Sequence, residues 1–284
     1  MGGKAMNKTA EQENFPVGKL IAPKLRPIVA AYYLAAREAD DVADNPSLST
    51  AEKLQQLENL EKSFLAQDDT TAGKLGQIFR TENLDNSLFM DLLEAFRRDA
   101  QENKIEIWEQ LLDYCRYSAA PVGRFMLAIH DESASTYLPA ETLCAVLQIA
   151  NHLQDLKTDA CNLRRCYLPQ KMMREFGVAE TDLCLTSATA PLLALIRDIC
   201  RRLRAMLKDA EILRYLVQNR RLRAEIGVIF SLTNSMLKKI ESGDVIARRP
   251  QLGRWDWLKA LSAGIGQGIF IRKKSCNNKR KWTV

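Results

Sequence analysis

Apolar residues recur at three- and four-residue steps along most of the chain, which is the period of an amphipathic α-helix. The pattern is clearest in five segments, each of which favours a helix with one face in the core: residues 51–65, 86–100, 107–129, 191–213 and 225–242. No segment alternates apolar and polar residues for long enough to predict a β-strand. The sequence therefore predicts an all-α protein.

Breaks between helices are expected where proline, glycine and polar residues interrupt this pattern. They fall at residues 45–46, 68–76, 130–139, 168–169 and 243–244. None of them has the low-complexity composition of a domain linker, and there is no internal repeat of short period. We expect one helical domain over residues 1–271, which is long enough to bury a large core, and a basic C-terminal tail over residues 272–284.

An acidic cluster closes one otherwise apolar helix, in the segment AREADDVADNP at residues 36–46. Asp40 and Asp44 are one helical turn apart, so their carboxylates share a face about 6 Å apart along the axis, with Asp41 beside them. Two interpretations are open at this point. The aspartates form a solvated helix end, or they supply oxygen ligands to Mg²⁺ that accompanies a phosphorylated ligand.

A second set of oxygen-bearing side chains follows in QIANHLQDLKTDACNLRRCYLP, at residues 148–169. Asn151, Asp155 and Asp159 are spaced by four residues, so they line one stripe of a helix that is otherwise apolar enough to be buried. Buried carboxylates without partners are costly, and two such stripes in one chain favour metal ligands over packing. Facing each other, the stripes would bracket Mg²⁺ ions that bind a diphosphate and neutralise its charge as it leaves.

The net charge of +6 is concentrated at the C-terminus. The last fourteen residues, IRKKSCNNKRKWTV, carry six basic side chains and no acidic one, so the rest of the chain is neutral and no nucleic-acid partner is expected. The preceding segment, WDWLKALSAGIGQGIFI, is rich in tryptophan, leucine and isoleucine. It predicts either an amphipathic terminal helix with a solvated tail, or peripheral contact with an anionic membrane.

Cysteine and histidine point away from several other functions. Seven cysteines without a CxxC pair suggest reduced thiols in a cytoplasmic protein, and two histidines leave no zinc set. For His152, a hydrogen-bonded helix histidine is favoured, with a catalytic role as the alternative. No apolar run reaches the ~20 residues of a membrane span, so we expect a cytoplasmic protein, with attachment to the inner face of the membrane as the alternative.

These motifs together resemble the squalene and phytoene synthase family, and within it the bacterial hydroxysqualene synthases of hopanoid biosynthesis. The similarity runs from ENFPVGKLIAPKLRPIVAAYYLAAREADDVAD, through YCRYSAAPVG and NHLQDLKTDACNLRRCYLP, to RRPQLGRWDWL. It implies the type I isoprenoid synthase fold, a single all-α bundle around a central cavity. Across that cavity the two Asp-rich helices would face each other and bind Mg²⁺ and a prenyl diphosphate.

The resemblance also assigns roles to single residues. It implies that five aspartates bind metal: Asp40, Asp41, Asp44, Asp155 and Asp159. All of these except Asp41 are also implied to be catalytic. A tyrosine near the reacting diphosphate corresponds to Tyr114, for which a place in the core is the alternative. The implied substrate-binding residues are Tyr33, Arg37, Asn151, Gln154, and Arg248 or Arg249. Arg37 has a second interpretation, in which it only neutralises Asp41 four residues later.

Two departures from the family pattern select the branch. Squalene and phytoene synthases usually have Arg-Asp where this chain has Gln154-Asp155, and Ser-Phe where it has Asn14-Phe15. Replacing arginine by glutamine removes a positive charge beside the diphosphates, which suits a site that holds one diphosphate and guides a water.

The resemblance thus implies ionisation of presqualene diphosphate, rearrangement of the cation, and capture of water to give hydroxysqualene. Aromatic side chains such as Tyr33, Tyr114, Tyr117 and Phe125 are candidates for stabilising the cation. We also expect functional coupling to a presqualene diphosphate synthase. The alternatives are condensation of two farnesyl diphosphates to presqualene diphosphate, squalene or phytoene, and a non-catalytic scaffold or assembly factor, which the intact aspartates disfavour.

Overall fold

The computed structural model describes residues 21–101 and 104–270, and this part of the chain contains twelve α-helices and no β-strand. The helices are α1 (Arg26–Ala43), α2 (Thr50–Ala66), α3 (Thr71–Thr81), α4 (Ser87–Ala100), α5 (Trp108–Ser118), α6 (Ala120–Ala128), α7 (Tyr137–Thr158), α8 (Gln170–Phe176), α9 (Ala190–Asp209), α10 (Leu213–Leu216), α11 (Arg220–Ser242) and α12 (Arg254–Phe270). The all-α prediction is confirmed. The basic tail lies outside the described residues.

One predicted break is partly wrong, because α3 begins at Thr71 inside the segment 68–76. The hydroxyl of Thr70 caps this helix by accepting from the backbone N–H of Gly73 at 3.0 Å. A Cβ at Gly76 would lie 2.0 Å from the carbonyl oxygen of Phe64. Glycine is therefore needed here for the close approach of α3 to α2, and it does not end the helix.

Two clusters of buried side chains form the core. The first lies among α1 to α4 and α6 and is centred on aromatic rings in mutual contact, some stacked and some edge to face: Tyr32, Phe64, Phe79, Phe89 and Phe125. The second is built around α7, which packs on α5, α6, α9 and α11. A Cβ at Gly123 would lie 2.6 Å from Sγ of Cys144, so the glycine allows α6 to pack closely on α7.

The described part of the chain ends with a hairpin of α11 and α12. Ala260 is fully buried in this contact, and a Cβ at Gly264 would meet Val228 and the backbone of Ala224 on α11. The GIGQG sequence thus lies within a packed helix, where it forms no phosphate-binding loop. Within the described ranges, no helix has both the length and the apolar character required to cross a membrane.

Candidate functional site

The first acidic cluster occupies the last turns of α1. Arg37 Nη1 donates to Asp40 Oδ2 at 2.8 Å, and its Nη2 donates to Asp41 Oδ1 at 2.6 Å. Burial alone would lower the pKa of Arg37, but Asp40 and Asp41 raise it, with a smaller contribution from the nearby Tyr33. The ion pair with Asp41 that the sequence offered as an alternative is therefore present, and Arg37 engages Asp40 as well.

Asp40 is the most strongly perturbed carboxylate of this cluster. Burial, followed by the charge of Asp44, raises its pKa to about 7, although the Arg37 cation offsets part of the rise. The negative charge of Asp44 on the same face of the helix therefore disfavours the charged form of Asp40. A cation near them would relieve this repulsion.

The second acidic stripe lies at the end of α7 and in the π turn, Asp159–Leu163, that follows it. Arg249 approaches Asp155 in a two-pronged contact, with Nε donating to Oδ1 and Nη2 donating to Oδ2 at 3.0 Å. Arg248 is exposed, so of the two predicted arginines it is Arg249 that the structure brings to the second stripe. One turn earlier, Oδ1 of Asn151 is buried without a hydrogen-bond partner.

Gln154 lies beside this stripe and contacts the backbone instead of facing an open space. Its Nε2 donates to the carbonyl oxygen of Pro250 at 2.6 Å, and the side chain is buried. This bond holds the segment that carries Arg249 against α7. Gln154 is thus positioned to orient Arg249, while its predicted contact with substrate stays a prediction.

Arg165, which is not among the site residues predicted from the sequence, connects the two acidic clusters. Its Nη1 donates to Asp44 Oδ1 and its Nη2 donates to the carbonyl oxygen of Ala43 at 3.0 Å, across 121 and 122 residues of sequence. The side chain is only 10% exposed. Burial disfavours its charge, but Tyr167, Asp99 and Asp44 raise its pKa overall. Arg165 therefore brings the end of the second motif to the end of the first.

The π turn explains how Arg165 reaches α1. A π turn adds a residue to the helical repeat and often occurs at functional sites. Arg164 follows with a positive φ of 55°, and the N–H of Arg165 returns to the carbonyl oxygen of Asp159 at 3.0 Å. The chain thus reverses direction directly after the second acidic stripe.

A buried polar group next to Arg165 contains Tyr114. The hydroxyls of Tyr114 and Tyr167 donate to the two carboxylate oxygens of Asp99, at 2.9 and 3.0 Å. Burial raises the pKa of Asp99 to about 6, although Arg165 and both hydroxyls lower it. Burial, followed by the charge of Asp99, raises the pKa of Tyr114 well above its usual value. Asp99 lines cavities of about 220 and 70 Å³ that Tyr167 also lines.

Two of the aromatic residues predicted as cavity walls have other roles. Phe125 is buried in the first core cluster, with its ring stacked 4.1 Å from that of Tyr32. The guanidinium of Arg98 covers the ring of Tyr117 at 4.1 Å. Phe125 is therefore a core residue, and Arg98 occupies one face of the Tyr117 ring.

The acidic residues do not form a finished metal centre. Among residues 21–101 and 104–270, no three histidine, cysteine or acidic side chains lie together closely enough to hold an ion. The carboxylates form ion pairs with arginines instead: Arg37 pairs with Asp40, Arg165 with Asp44 and Arg249 with Asp155. Arg165, which follows the second stripe in sequence, nevertheless contacts the first stripe directly.

The expectation of fully reduced cysteines is wrong for one pair. Cys161 in the π turn and Cys184 form a disulfide, with Cα atoms 5.9 Å apart. The bond joins the π turn to the short 3₁₀ turn Glu180–Cys184. Four cysteines of the described part are free: Cys115, Cys144, Cys166 and Cys200.

Comparison with known proteins gives consistent matches. Residues 8–256 match the sequence profile of squalene/phytoene synthases. The hydroxysqualene synthase of Zymomonas mobilis is 39% identical over 85% of this chain and 83% of its own length, and that of Rhodopseudomonas palustris is 36% identical over 93% and 92%. A crystal structure of a squalene synthase from Alicyclobacillus acidocaldarius superposes with a TM-score of 0.69 at 31% identity, over 78% of this chain and 84% of the other.

Proposed function

This chain belongs to the squalene/phytoene synthase family, and we propose from that membership that it is a hydroxysqualene synthase. In this proposal it binds presqualene diphosphate, ionises it, and lets water capture the rearranged C30 cation. The identities of 35–39% to three hydroxysqualene synthases, each over most of both chains, support this branch of the family.

The structural observation that carries the proposal is the contact of Arg165 with Asp44. It joins two acidic stripes that are more than a hundred residues apart in sequence. A single diphosphate placed between them would meet three guanidinium groups, from Arg37, Arg165 and Arg249. Each of these has the planar fork that suits phosphate oxygens as well as carboxylates.

The donor set also fits Mg²⁺, as we propose for the cofactor. The raised pKa of Asp40 and the unpartnered Oδ1 of Asn151 are features that a hard cation would relieve. Asp40, Asp44, Asp155 and Asp159 would hold the metal, with Asp41 in support. When bound, Mg²⁺ supplies charge neutralisation for the departing diphosphate.

The protein side of the reaction is binding and positioning, since no side-chain nucleophile is needed. The three arginines would turn from the carboxylates to the diphosphate as substrate and metal enter. Tyr114, held by Asp99, keeps its proton because its pKa is raised, and it presents a neutral aromatic ring. Such rings stabilise a carbocation without reacting with it.

Product analysis tests the proposal. The purified protein with Mg²⁺ and presqualene diphosphate should release diphosphate and form hydroxysqualene whose oxygen comes from water. NADPH should not change the product, and a chelator should stop the reaction. Absence of the alcohol, or of labelled oxygen from water within it, would contradict the assignment.

A condensing activity is the second candidate, favoured by the likeness to the squalene synthase of A. acidocaldarius. The same assay separates the two functions. Efficient conversion of farnesyl diphosphate alone, or NADPH-dependent formation of squalene, would move the protein to that branch. We also propose functional coupling to a presqualene diphosphate synthase, because the substrate must be supplied by such a condensing reaction.

Peripheral attachment to an anionic membrane, at its cytoplasmic face, is part of the proposal. The outer face of α12 exposes a row of large apolar side chains at three- and four-residue steps: Trp255 (84% exposed), Leu258 (57%), Leu261 (42%) and Ile265 (61%). Arg254 and Lys259 lie on the same helix, and the next segment of the sequence carries six basic residues. Apolar residues flanked by bases suit a surface of anionic lipid.

Vesicle sedimentation checks this attachment. The protein should bind vesicles that contain phosphatidylglycerol more than vesicles of phosphatidylcholine, and salt should weaken the binding. The double substitution Leu258→Glu and Ile265→Glu should abolish it, whereas Leu65→Glu, at a comparably exposed leucine on α2, should not. Equal binding by both variants would remove α12 as the membrane surface.

A further inference from the structure

A disulfide joins two short turns at the edge of the acidic site. Cys161 lies in the π turn Asp159–Leu163, and Cys184 closes the 3₁₀ turn Glu180–Cys184. Both cysteines are exposed at the surface. A reductant in solution can therefore reach the bond, and exposed disulfides are among those that are reduced and re-formed readily.

Packing anchors the π turn only weakly. None of its five residues is buried, and Ala160 is only partly covered where it packs against the core. A segment with few buried apolar contacts opens locally at a lower free-energy cost than the core beside it. The covalent bond at Cys161 therefore has a large share in holding this turn in place.

The 3₁₀ turn on the other side of the bond is anchored independently. Leu183 is fully buried in the core. Just beyond the turn, Nζ of Lys157 donates to the carbonyl oxygen of Leu185 at 2.8 Å, and the backbone N–H of Ala188 donates to Asp244 Oδ2 at 2.9 Å. This segment would keep its position without the disulfide, so the bond attaches the weakly packed π turn to a fixed support.

Both sides of the disulfide contribute to one wall of the site. Arg164, Arg165 and Tyr167, which follow the π turn, line the cavity of about 70 Å³, and Glu180 lines it from the 3₁₀ turn. Arg165 also continues from this cavity to Asp44. Cleavage of the bond would let the π turn move relative to the 3₁₀ turn, and the guanidinium of Arg165 would lose its fixed position.

We propose that Cys161 and Cys184 are a reversible thiol–disulfide modification site that controls how firmly the π turn positions Arg165 for the diphosphate substrate. The inference rests on the proposed function. A dithiol supplies two electrons and two protons: the S–S bond breaks, two cysteine thiols form, and the dithiol closes to its own disulfide. A small oxidised thiol reverses the step by disulfide exchange. Disulfides of cytoplasmic proteins are usually of this transient kind.

Reduction and reoxidation of the wild-type protein test the proposal. The protein is treated with dithiothreitol, desalted, and then reoxidised with oxidised glutathione, while alkylation and mass spectrometry report the state of both cysteines. In the reduced form, kcat/KM for diphosphate release from presqualene diphosphate should be at least about tenfold lower, because small displacements of positioned groups cost up to about 10²-fold. Amide hydrogen exchange in residues 159–167 should be faster. Both effects should reverse on reoxidation.

Serine variants identify the bond responsible. Cys161→Ser and Cys184→Ser should resemble the reduced protein in both measurements and should not respond to dithiothreitol. Cys166→Ser is the matched control, because Cys166 is a free, partly buried cysteine that follows the π turn closely in sequence. It should keep the wild-type response to reduction and reoxidation.

Three outcomes would overturn the inference. They are an equal kcat/KM in the two states of the wild-type protein, failure of oxidised glutathione to re-form the bond, and a full response to dithiothreitol in Cys161→Ser. If the serine variants do not fold, the comparison of the two wild-type states decides. A wild-type protein that forms no hydroxysqualene in either state would refute the proposed function instead, and amide exchange and diphosphate release would still test the disulfide.

Discussion

Replacing Arg165 with alanine tests the link between the two acidic motifs. The substitution removes the donor to Asp44 and the donor to the carbonyl oxygen of Ala43. Because Arg165 is only 10% exposed, little water can enter to replace its hydrogen bonds when the side chain is removed. Asp44 would lose its partner and face Asp40, whose charge is already disfavoured.

The size of the effect follows from these two bonds. Hydrogen bonds to charged groups contribute about 1.5 to 3 kcal/mol each. Asp44 keeps 34% of its side chain in water, which screens part of its contribution, so we expect a total loss of about 2 to 4 kcal/mol of unfolding free energy. For a chain of 284 residues, that loss corresponds to a fall in Tm of roughly 3 to 7 °C.

Urea unfolding followed by far-UV circular dichroism measures the loss, and two further variants control it. Arg164→Ala removes the neighbouring cation, which is exposed. Alanine keeps a Cβ at the same positive φ, so the backbone requirement is unchanged. This substitution should cost much less. Asp44→Asn in the Arg165→Ala background should recover about 1 to 2 kcal/mol, because no unpaired charge is then left beside Asp40.

Two results would refute this reasoning. A loss in Arg165→Ala no larger than that in Arg164→Ala would show that the contact contributes nothing to stability. Strictly additive effects of the Arg165 and Asp44 substitutions would show that the two side chains do not interact in solution.

Three further predictions concern the carboxylates and Arg37. Asp155→Asn and Asp40→Asn should abolish turnover while leaving the circular dichroism spectrum unchanged; near-normal turnover would remove the metal assignment. Arg37→Ala should weaken binding of the diphosphate substrate by about 1.5 to 3 kcal/mol, measured as a roughly 10- to 150-fold rise in KM, and an unchanged KM would leave Arg37 only its ion pair with Asp41. Burial raises the pKa of Asp99 to about 6, so the folded state holds this proton more tightly than the unfolded chain, whose pKa is about 4. Stability should therefore fall as pH rises from about 4 to 6, and the fall should be smaller in Asp99→Asn; identical pH profiles would contradict the burial of that charge.

The periodicity of the sequence was enough to predict most of the helices. The apolar repeats over 86–100 and 225–242 correspond to α4 and α11, because the buried face of each helix follows its own spacing. The first error concerned glycine in segment 68–76. Glycine weakens helices on average, but Gly76 lies in α3 because the backbone of Phe64 leaves no room for a side chain. That constraint comes from another helix and is invisible in the local pattern.

The candidate site was predictable where a motif is local, and only in part where it depends on distant contacts. Spacing and family resemblance predicted both acidic stripes. They left Arg248 and Arg249 undecided, and in the structure it is Arg249 that contacts Asp155, whereas Arg248 is exposed. The contact of Arg165 with Asp44 depends on a π turn, which no simple periodicity predicts. The adjacent pair Arg164-Arg165 after an acidic stripe was the available signal.

Cys161 and His152 were misjudged for the same reason. Each was interpreted from its neighbours in sequence, as a reduced thiol and as a satisfied histidine. Cys161 is bonded to Cys184, and His152 is stacked on Tyr167 with its buried Nε2 lacking a hydrogen-bond partner. The fold brings both of these contacts from other segments of the chain.

The π turn sets a strict length for the chain between Asp155 and Tyr167. Deleting one residue from Asp159–Leu163 would shorten the π turn and move the left-handed turn at Arg164, with the residues that follow it, relative to α1. Arg165 would then point away from α1, and Tyr167 would leave Asp99. Substitutions in this segment can be absorbed one side chain at a time, but insertions and deletions change all of these contacts at once. The segment is thus a poor place for engineered tags or loop grafts, even though Cys161 and Asn162 within it are exposed at the surface.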